Sequence, residues 1–335
     1  MVAPTFHYHE KYPAFLSLSD FPSGIAYIAA NLKKAGHEVF GLNPNNITGY
    51  VSAQFMLQTV LTNKVREVRP QLVGLGGLCT DYHFLKDAIN IIREVDSSIP
   101  IVLGGNIVTN DAEDIHRLLK PNYAVRGEGD ETMVQIANGQ LGEGIINSPI
   151  PNIDSLPFPD YEPFGIQEMM DKYSTATRLL YRYSRPYPRP YNIVASRSCP
   201  FSCTFCIHGH DRPPYRARSI PSVMEEIKVS YEKYHFNIII LLDELFAVKK
   251  DRLNDFSNAV LEGKAKYGWD FDWMFQTHAC ARFDLDSLKL AKNAGCYFFA
   301  YGLESASPTV LKSMRKKIRV QQVIDVMDMA RQARI

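Results

Sequence analysis

Ser196-Arg-Ser-Cys199-Pro-Phe-Ser-Cys203-Thr-Phe-Cys206 carries three cysteines on a C-x3-C-x2-C spacing. The apolar run Tyr191-Asn-Ile-Val-Ala195 leads straight into it and reads as a buried strand. Pro200 and the small polar residues then make a loop. The cysteines therefore sit just past the carboxyl end of a strand, where α/β folds place their chemistry. Three thiolates at this spacing can wrap one metal centre, and soft sulfur selects zinc or an iron–sulfur cluster. A structural zinc takes four protein ligands, and His208 or His210 can complete such a site. A [4Fe–4S] cluster on three cysteines instead keeps one iron open to an outside ligand. The bland alternative is three unrelated buried cysteines.

The motif C-x3-C-x-Φ-C, with Phe205 before the last cysteine and a strand leading in, resembles the radical S-adenosylmethionine (radical SAM) superfamily. The resemblance implies a [4Fe–4S] cluster on Cys199, Cys203 and Cys206. It implies that the amino and carboxylate groups of S-adenosylmethionine chelate the open iron. An electron from the cluster then cleaves a C–S bond and yields a 5′-deoxyadenosyl radical. The residues themselves show a three-thiolate site with a missing ligand; the radical chemistry is what the resemblance adds. It also implies an electron donor such as flavodoxin or ferredoxin.

Composition narrows the setting. The chain's 335 residues suffice for two domains. A net charge of +1 gives no reason to expect nucleic acid or anionic lipid as a partner. The basic tract Lys312 to Arg319 reads as a solvated helix end. No basic-then-apolar leader opens the chain, and no apolar run approaches the roughly 18 residues of a membrane span. Cys79, Cys280 and Cys296 are scattered and read as small core residues. A reducing cytoplasm is the expected location.

Residues up to about 140 alternate short apolar runs with amphipathic ones. Strands are expected at Val2 to Tyr8, Val39 to Leu42, Leu72 to Leu75, Pro100 to Leu103 and Tyr123 to Val125, with helices between them. Five β–α units predict a doubly wound, Rossmann-like parallel sheet. Three successive strand ends carry glycines: Gly76-Gly77, Gly104-Gly105, and Gly127 with Gly129. Glycine there lets an extended ligand approach the backbone. None of them forms G-x-G-x-x-G after the first strand, which argues against a nicotinamide cofactor.

This half resembles the cobalamin-binding domain found in front of many radical SAM proteins. The resemblance rests on Pro22-x-Gly24-Ile-Ala-Tyr27, Val102-Leu-Gly-Gly105 and Val125-Arg-Gly-Glu-Gly-Asp-Glu-Thr132. It implies that Gly76, Gly77, Leu78, Gly104, Gly105, Gly127, Glu128 and Gly129 line a groove for the corrin and its nucleotide tail. One departure stands out. Cobalamin domains that ligate cobalt carry D-x-H-x-x-G after the first strand, and Phe6-His-Tyr-His-Glu-Lys-Tyr12 lacks it. Asp81-Tyr-His83 has the first half of the pattern but follows the third strand, so His83 reads as a helix-start residue, and His7 and His9 as loop histidines. Either cobalamin binds without a protein histidine on cobalt, or the domain keeps the fold without the cofactor.

Residues 141–190, with Ile150-Pro-Asn-Ile-Asp-Ser-Leu-Pro-Phe-Pro-Asp160, read as an extended linker. From 191 the alternation resumes. Strands at Asn237 to Leu242, Phe271 to Thr277 and Cys296 to Tyr301, each with a helix behind it, predict four units of a β/α barrel, which usually has six. The chain thus reads as a partial barrel truncated on its C-terminal side, with an open strand edge. Carboxylates at strand ends are costly to bury unless paired. By resemblance Asp243 or Glu244 meets the ammonium of S-adenosylmethionine, and Glu304 and Ser305 meet its ribose and methionine part. The bland reading pairs Glu304 with Arg282 or Lys312. Thr277 is a weaker candidate, and Arg216 and Arg218 meet either a nucleotide tail, a domain seam or solvent. The expected activity is that of a cobalamin-dependent radical SAM enzyme acting on a small-molecule or peptide substrate, with methyl transfer to carbon the commonest outcome among the proteins it resembles. The alternatives are a radical SAM enzyme without cobalamin and a non-catalytic zinc module.

Overall fold

In a computed structural model, which describes residues 1–5, 8, 22–47, 49–176, 183–207 and 212–335, the apolar runs of the first half become a parallel sheet. Its strands are β1 (Val73–Gly76), β2 (Ile101–Gly104), β3 (Tyr123–Arg126) and β4 (Gly144–Asn147), hydrogen-bonded in that order. Each is four residues long and ends on the same edge. Among the described residues the two earliest expected strands appear as single bridges, where Val2 pairs in parallel with both Leu42 and Leu75; residues 6 and 7 of the first lie outside them. The lateral order is thus Leu42, Val2, β1, β2, β3, β4. It reverses between Val2 and β1, and doubly wound folds bind ligands at such a switch point, outside the carboxyl ends of the strands.

Helices Ala53–Val68, Tyr82–Val95 and Asn106–Leu119 bury Leu57, Leu61, Leu85, Ile89, Ile92 and Val108 against one face of this sheet. On the other face, Leu32 of helix Ser23–Lys34 and Ile136 of helix Thr132–Ala137 pack on Val102 and Val125. Hydrophobic burial on both faces is what a short parallel strand needs.

The stretch expected as a linker divides. Up to Lys172 it belongs to the first of two compact units, Met1–Lys172 and Tyr173–Ile335. β4 extends the first sheet, and Tyr161, Phe164, Met169 and Met170 are buried. Asp160 ties the segment to helix Ser23–Lys34, through an ion pair with Lys33 and an N–H donated to the Ala26 carbonyl at 3.0 Å. The Tyr161 and Ser23 hydroxyls meet at 2.9 Å. Its prolines break helix and strand but leave aromatic residues free to pack, and composition reads the first property more easily than the second.

The second unit holds β5 (Pro190–Ile193), the two-residue hairpin strands β6 (Ser196–Arg197) and β7 (Arg216–Ala217), then β8 (Ile238–Leu241), β9 (Asp272–Thr277) and β10 (Cys296–Tyr301). β5, β8, β9 and β10 form one parallel sheet in sequence order, and each is followed by a helix. That is the successive, one-directional winding of a β/α barrel wall. Its core is aromatic: Phe246, Phe256, Trp273 and Phe275 contact one another at centroid distances of 5.0–6.5 Å. Gly263, in helix Lys250–Tyr267, lets the Trp269 ring press against the helix; a Cβ there would lie 2.0 Å from the ring.

No helix of the described residues is long and apolar enough to cross a membrane. Cys296 is buried as expected, but Cys79 is exposed in the short turn Cys79–Asp81, and the Cys280 side chain lies outside the described residues. His7, His9, His208 and His210 also lie outside them.

Candidate active site

β5 delivers the chain to the cysteine loop, and two arginines fix the delivery point. Arg252 donates to the Ala195 carbonyl at 3.0 Å, to the Arg218 carbonyl at 2.8 Å and to the Phe246 carbonyl at 2.9 Å. The Arg218 N–H also reaches Ala195 O at 2.8 Å, and its guanidinium reaches Val194 O at 3.3 Å. Arg218 is 3 % exposed and pairs with the fully buried Glu226. A surface position for Arg218 is therefore wrong; it is a core cation neutralised by a core anion. Burial pushes the Glu226 carboxyl above its ordinary range, against the pull of Arg218. Arg216 lies on β7, its Nε donating to the Pro214 carbonyl at 3.2 Å.

Beyond β6 the loop presents three free thiols, Cys199, Cys203 and Cys206, all half-buried. Ser198 enters the loop in the left-handed region, φ 67°, and its hydroxyl donates to the Pro213 carbonyl at 2.6 Å. Cys206 N–H closes a turn onto Cys203 O at 3.1 Å. Among the described residues no three His, Cys, Asp or Glu side chains are arranged to hold a single metal ion. His208 and His210, the candidates to complete a zinc site, lie outside the described residues. Three free thiols on one loop are a soft donor set of the kind a cluster takes.

The strand-end carboxylates separate into different roles. Asp243 is 4 % exposed, and burial pushes its carboxyl up to about 6. Its oxygens face Ser196, but the Ser196 hydroxyl donates to the Leu245 carbonyl at 3.0 Å, and neither carboxylate oxygen completes a hydrogen bond. Glu244, one residue on, is exposed and close enough to Cys199 for its charge to add to the burial that raises that thiol. Glu304 pairs with Lys316, Nζ to Oε1 3.0 Å, rather than with Arg282 or Lys312. Ser305 Oγ accepts from Ser307 N–H at 3.1 Å. Thr277 is buried and donates its hydroxyl to the Ala247 carbonyl, a structural use.

Tyr215, Arg252, His278 and Lys316 were not singled out by sequence reasoning as part of this region. Tyr215 donates to Leu245 O at 3.1 Å, and the His278 ring stacks on Phe201 at 3.9 Å. Nothing in their spacing distinguishes them from surface residues. Only the strand-end positions of Thr277 and His278 carried a signal.

In the first unit the glycines divide by cause. Gly105, at φ 86°, abuts the neighbouring loop: a Cβ there would lie 2.6 Å from Gly77 O. Ile107 N–H also reaches Gly77 O, at 3.2 Å. At Gly77 the obstacle would be the Asp81 carboxylate, 2.7 Å away, which accepts the Leu78 N–H at 2.7 Å. Fold packing explains these two. Gly76 and Gly104 differ, because φ is not positive at either and a Cβ would meet nothing closer than 3.5 Å. Gly127, at φ 97°, also has 3.6 Å of clearance, while Gly129 has Ile28 at 3.4 Å. Glu128 lies between them. The positive φ of Gly127 is itself a demand for glycine, so Gly76 and Gly104 are the strand ends left bare without a local need, and a bare backbone edge there fits a large flat ligand. His83 is the second residue of its helix and exposed.

Comparison with known proteins accords with both halves. Residues 20–137 match the B12 binding domain family and residues 193–335 match the radical SAM superfamily. An uncharacterized methyltransferase of Pyrococcus horikoshii is 26 % identical over 332 residues, covering 92 % of this chain and 66 % of that protein. The anaerobic magnesium-protoporphyrin IX monomethyl ester cyclase of Cereibacter sphaeroides is 23 % identical over 352 residues, 94 % of this chain and 52 % of its own length. The chain thus spans about half to two thirds of these relatives. Among solved structures, OxsB with aqua-cobalamin bound superimposes with TM-score 0.76 at 14 % identity, over 100 % of this chain and 48 % of that one. TsrM from Kitasatospora setae, with cobalamin and a [4Fe–4S] cluster bound, gives 0.72 at 16 % identity, over 100 % and 67 %. A radical SAM domain takes a [4Fe–4S] cluster and S-adenosylmethionine, and a B12-binding domain takes cobalamin. The chain thus carries a B12-binding domain over residues 20–137 and a radical SAM domain over residues 193–335.

Proposed function

We propose that the chain is the cofactor-bearing part of a cobalamin-dependent radical SAM methyltransferase. The observation that carries this is the loop of three free thiols beyond β5, beside the exposed carboxylate of Glu244. When bound, the cluster supplies the electron that cleaves S-adenosylmethionine, and cobalamin supplies a methyl carrier.

Cys199, Cys203 and Cys206 hold the cluster. Glu244 takes the ammonium of S-adenosylmethionine, because it is the exposed member of the β8 pair. Asp243 adds negative charge from beneath. Glu304 and Ser305 flank the ribose and methionine part at the end of β10. Gly76 to Leu78, Gly104, Gly105 and Gly127 to Gly129 receive the corrin. The corrin domain lies within residues 1–140 and the cluster domain within 191–335. The electron comes from a flavodoxin- or ferredoxin-like donor. A reducing cytoplasm is the fitting location, since the thiols must stay reduced to bind iron.

Elemental analysis of protein purified without oxygen and offered iron, sulfide and hydroxocobalamin tests the reading. About four irons and one cobalt per chain support it, as does release of 5′-deoxyadenosine or S-adenosylhomocysteine from S-adenosylmethionine under reducing conditions. Iron without cobalt leaves a radical SAM protein whose first unit serves another end. Zinc without iron sinks the proposal.

A further inference from the structure

Lys316 lies in a run of cations that reads as a solvated helix end, yet it alone among Lys312, Arg315, Lys316, Lys317 and Arg319 is buried, at 7 % exposure. Its ammonium donates to Glu304 Oε1 at 3.0 Å and stands 5.6 Å from the ring centroid of Phe205, the neighbour of Cys206. The same segment grips the cysteine loop. Met314 O accepts the Thr204 N–H at 3.0 Å, and Ser313 O accepts the Thr204 hydroxyl at 3.4 Å. The Lys316 backbone also bonds His278, whose ring stacks on Phe201. A Cβ on Gly302 would lie 2.5 Å from Glu304 Oε1 and 3.0 Å from Lys316 Nζ, so the pair fills the space that glycine leaves.

The pair is buried only at its lysine end, since Glu304 is exposed, and burying an ammonium is weak evidence of stabilisation, because well-packed apolar residues often do as well. What apolar residues lack is a field. A charge beside a half-buried cluster is poorly screened, and net charge near an iron–sulfur centre is one of the terms that set its potential. We propose that Lys316 is a positioning and charge-setting residue for the cysteine loop: with Ser313 and Met314 it anchors the Thr204–Cys206 side, and its ammonium, opposed by Glu304, sets the reduction potential of the cluster held there. This rests on the reading that the three thiols hold a cluster.

The test is an anaerobic redox titration of the reconstituted protein without S-adenosylmethionine. Dithionite with mediators supplies one electron per cluster, electron paramagnetic resonance follows the reduced form, and iron per chain is measured in parallel. Lys316→Met removes a positive charge and leaves the exposed Glu304 carboxylate unopposed, so the cluster becomes harder to reduce. Glu304→Gln leaves the lysine unopposed, so it becomes easier. Each single change shifts the reduced-to-oxidised ratio at fixed potential by about tenfold, ~59 mV for one electron. The double variant returns toward wild type, and Lys316→Arg stays near it. Single variants that shift in the same direction, or not at all, overturn the proposal. If Lys316→Met loses iron, Glu304→Gln and Lys316→Arg still decide the sign. Wild-type protein that takes up no iron overturns the underlying reading instead, and this inference with it.

Discussion

Asp243 offers the sharpest test of how the site trades stability for charge. Its carboxyl sits near 6 in the folded chain against an ordinary 3.8, chiefly because burial penalises the anion. A raised folded value means the native state binds the proton more tightly than the unfolded state does. The stabilising contribution is therefore complete below about 3.8 and is lost as pH rises through 6. At about 1.4 kcal/mol per unit, ionisation costs the second unit ~3 kcal/mol by pH 8. Asp243→Asn removes the titration while keeping the shape. An amide in the same pocket carries its own pairing cost, but that offset does not change with pH. Denaturant unfolding of wild type and variant, free of cofactors, from pH 4 to pH 8 isolates the slope. The variant should gain on the wild type by ~2.4 kcal/mol across the window, most of it between pH 4 and 6.5. A difference between the two that stays flat would refute the claim that the Asp243 carboxylate is buried without adequate partners.

Three further outcomes are expected. Glu226→Ala strands the Arg218 guanidinium in the core and should cost about 3–5 kcal/mol. For a unit of roughly 160 residues that lowers its melting temperature by ~9–15 °C in calorimetry. The paired change Arg218→Met with Glu226→Leu should recover most of that loss while reducing iron uptake, because Val194 O loses its donor. Cys199→Ala, Cys203→Ala or Cys206→Ala should each abolish cluster assembly, read as loss of iron and of the cluster's visible absorption. Gly105→Ala places a Cβ against Gly77 O at φ 86° and should cost the first unit at least ~1–2 kcal/mol, with loss of cobalamin retention measured by gel filtration.

The sequence showed the architecture where periodicity was strong. Strand β10 falls on its expected residues, and β1, β2 and β3 within a residue or two. It failed where a pattern had two physical causes. The proline-rich stretch through Tyr161 and Phe164 looked like a tether, but its aromatic side chains pack on the first unit. Val2 to Tyr8 and Val39 to Leu42 looked like strands, and among the described residues only Val2 and Leu42 form bridges. At the site, the three cysteines were legible because spacing alone encodes them. Asp243 and Glu244 were equivalent in sequence, since burial decides between them and two adjacent strand-end residues face opposite ways. Arg252 and Lys316 were illegible for a different reason: a cation held in place by the fold is recognised by its partners, and those lie outside any local repeat, Glu304 12 residues from Lys316 and Ala195 57 from Arg252.

These hidden charges share a position. Arg218 and Arg252 hold the exit of β5, Asp243 lies at the end of β8, and Lys316 with Glu304 closes the end of β10. A cysteine loop held only by apolar packing would collapse onto the strand ends when its thiols are protonated and empty. A loop held by directional bonds to Ala195 O and Met314 O keeps its backbone in place whether or not metal is present. The cost is an unpaired carboxylate, one buried ion pair and a buried lysine whose partner Glu304 is exposed, groups that a core selected for stability alone would replace with leucine and methionine. Retaining them at the one edge where the thiols sit, while the aromatic core a few residues below is apolar throughout, is what a site shaped by cofactor binding rather than by folding should look like.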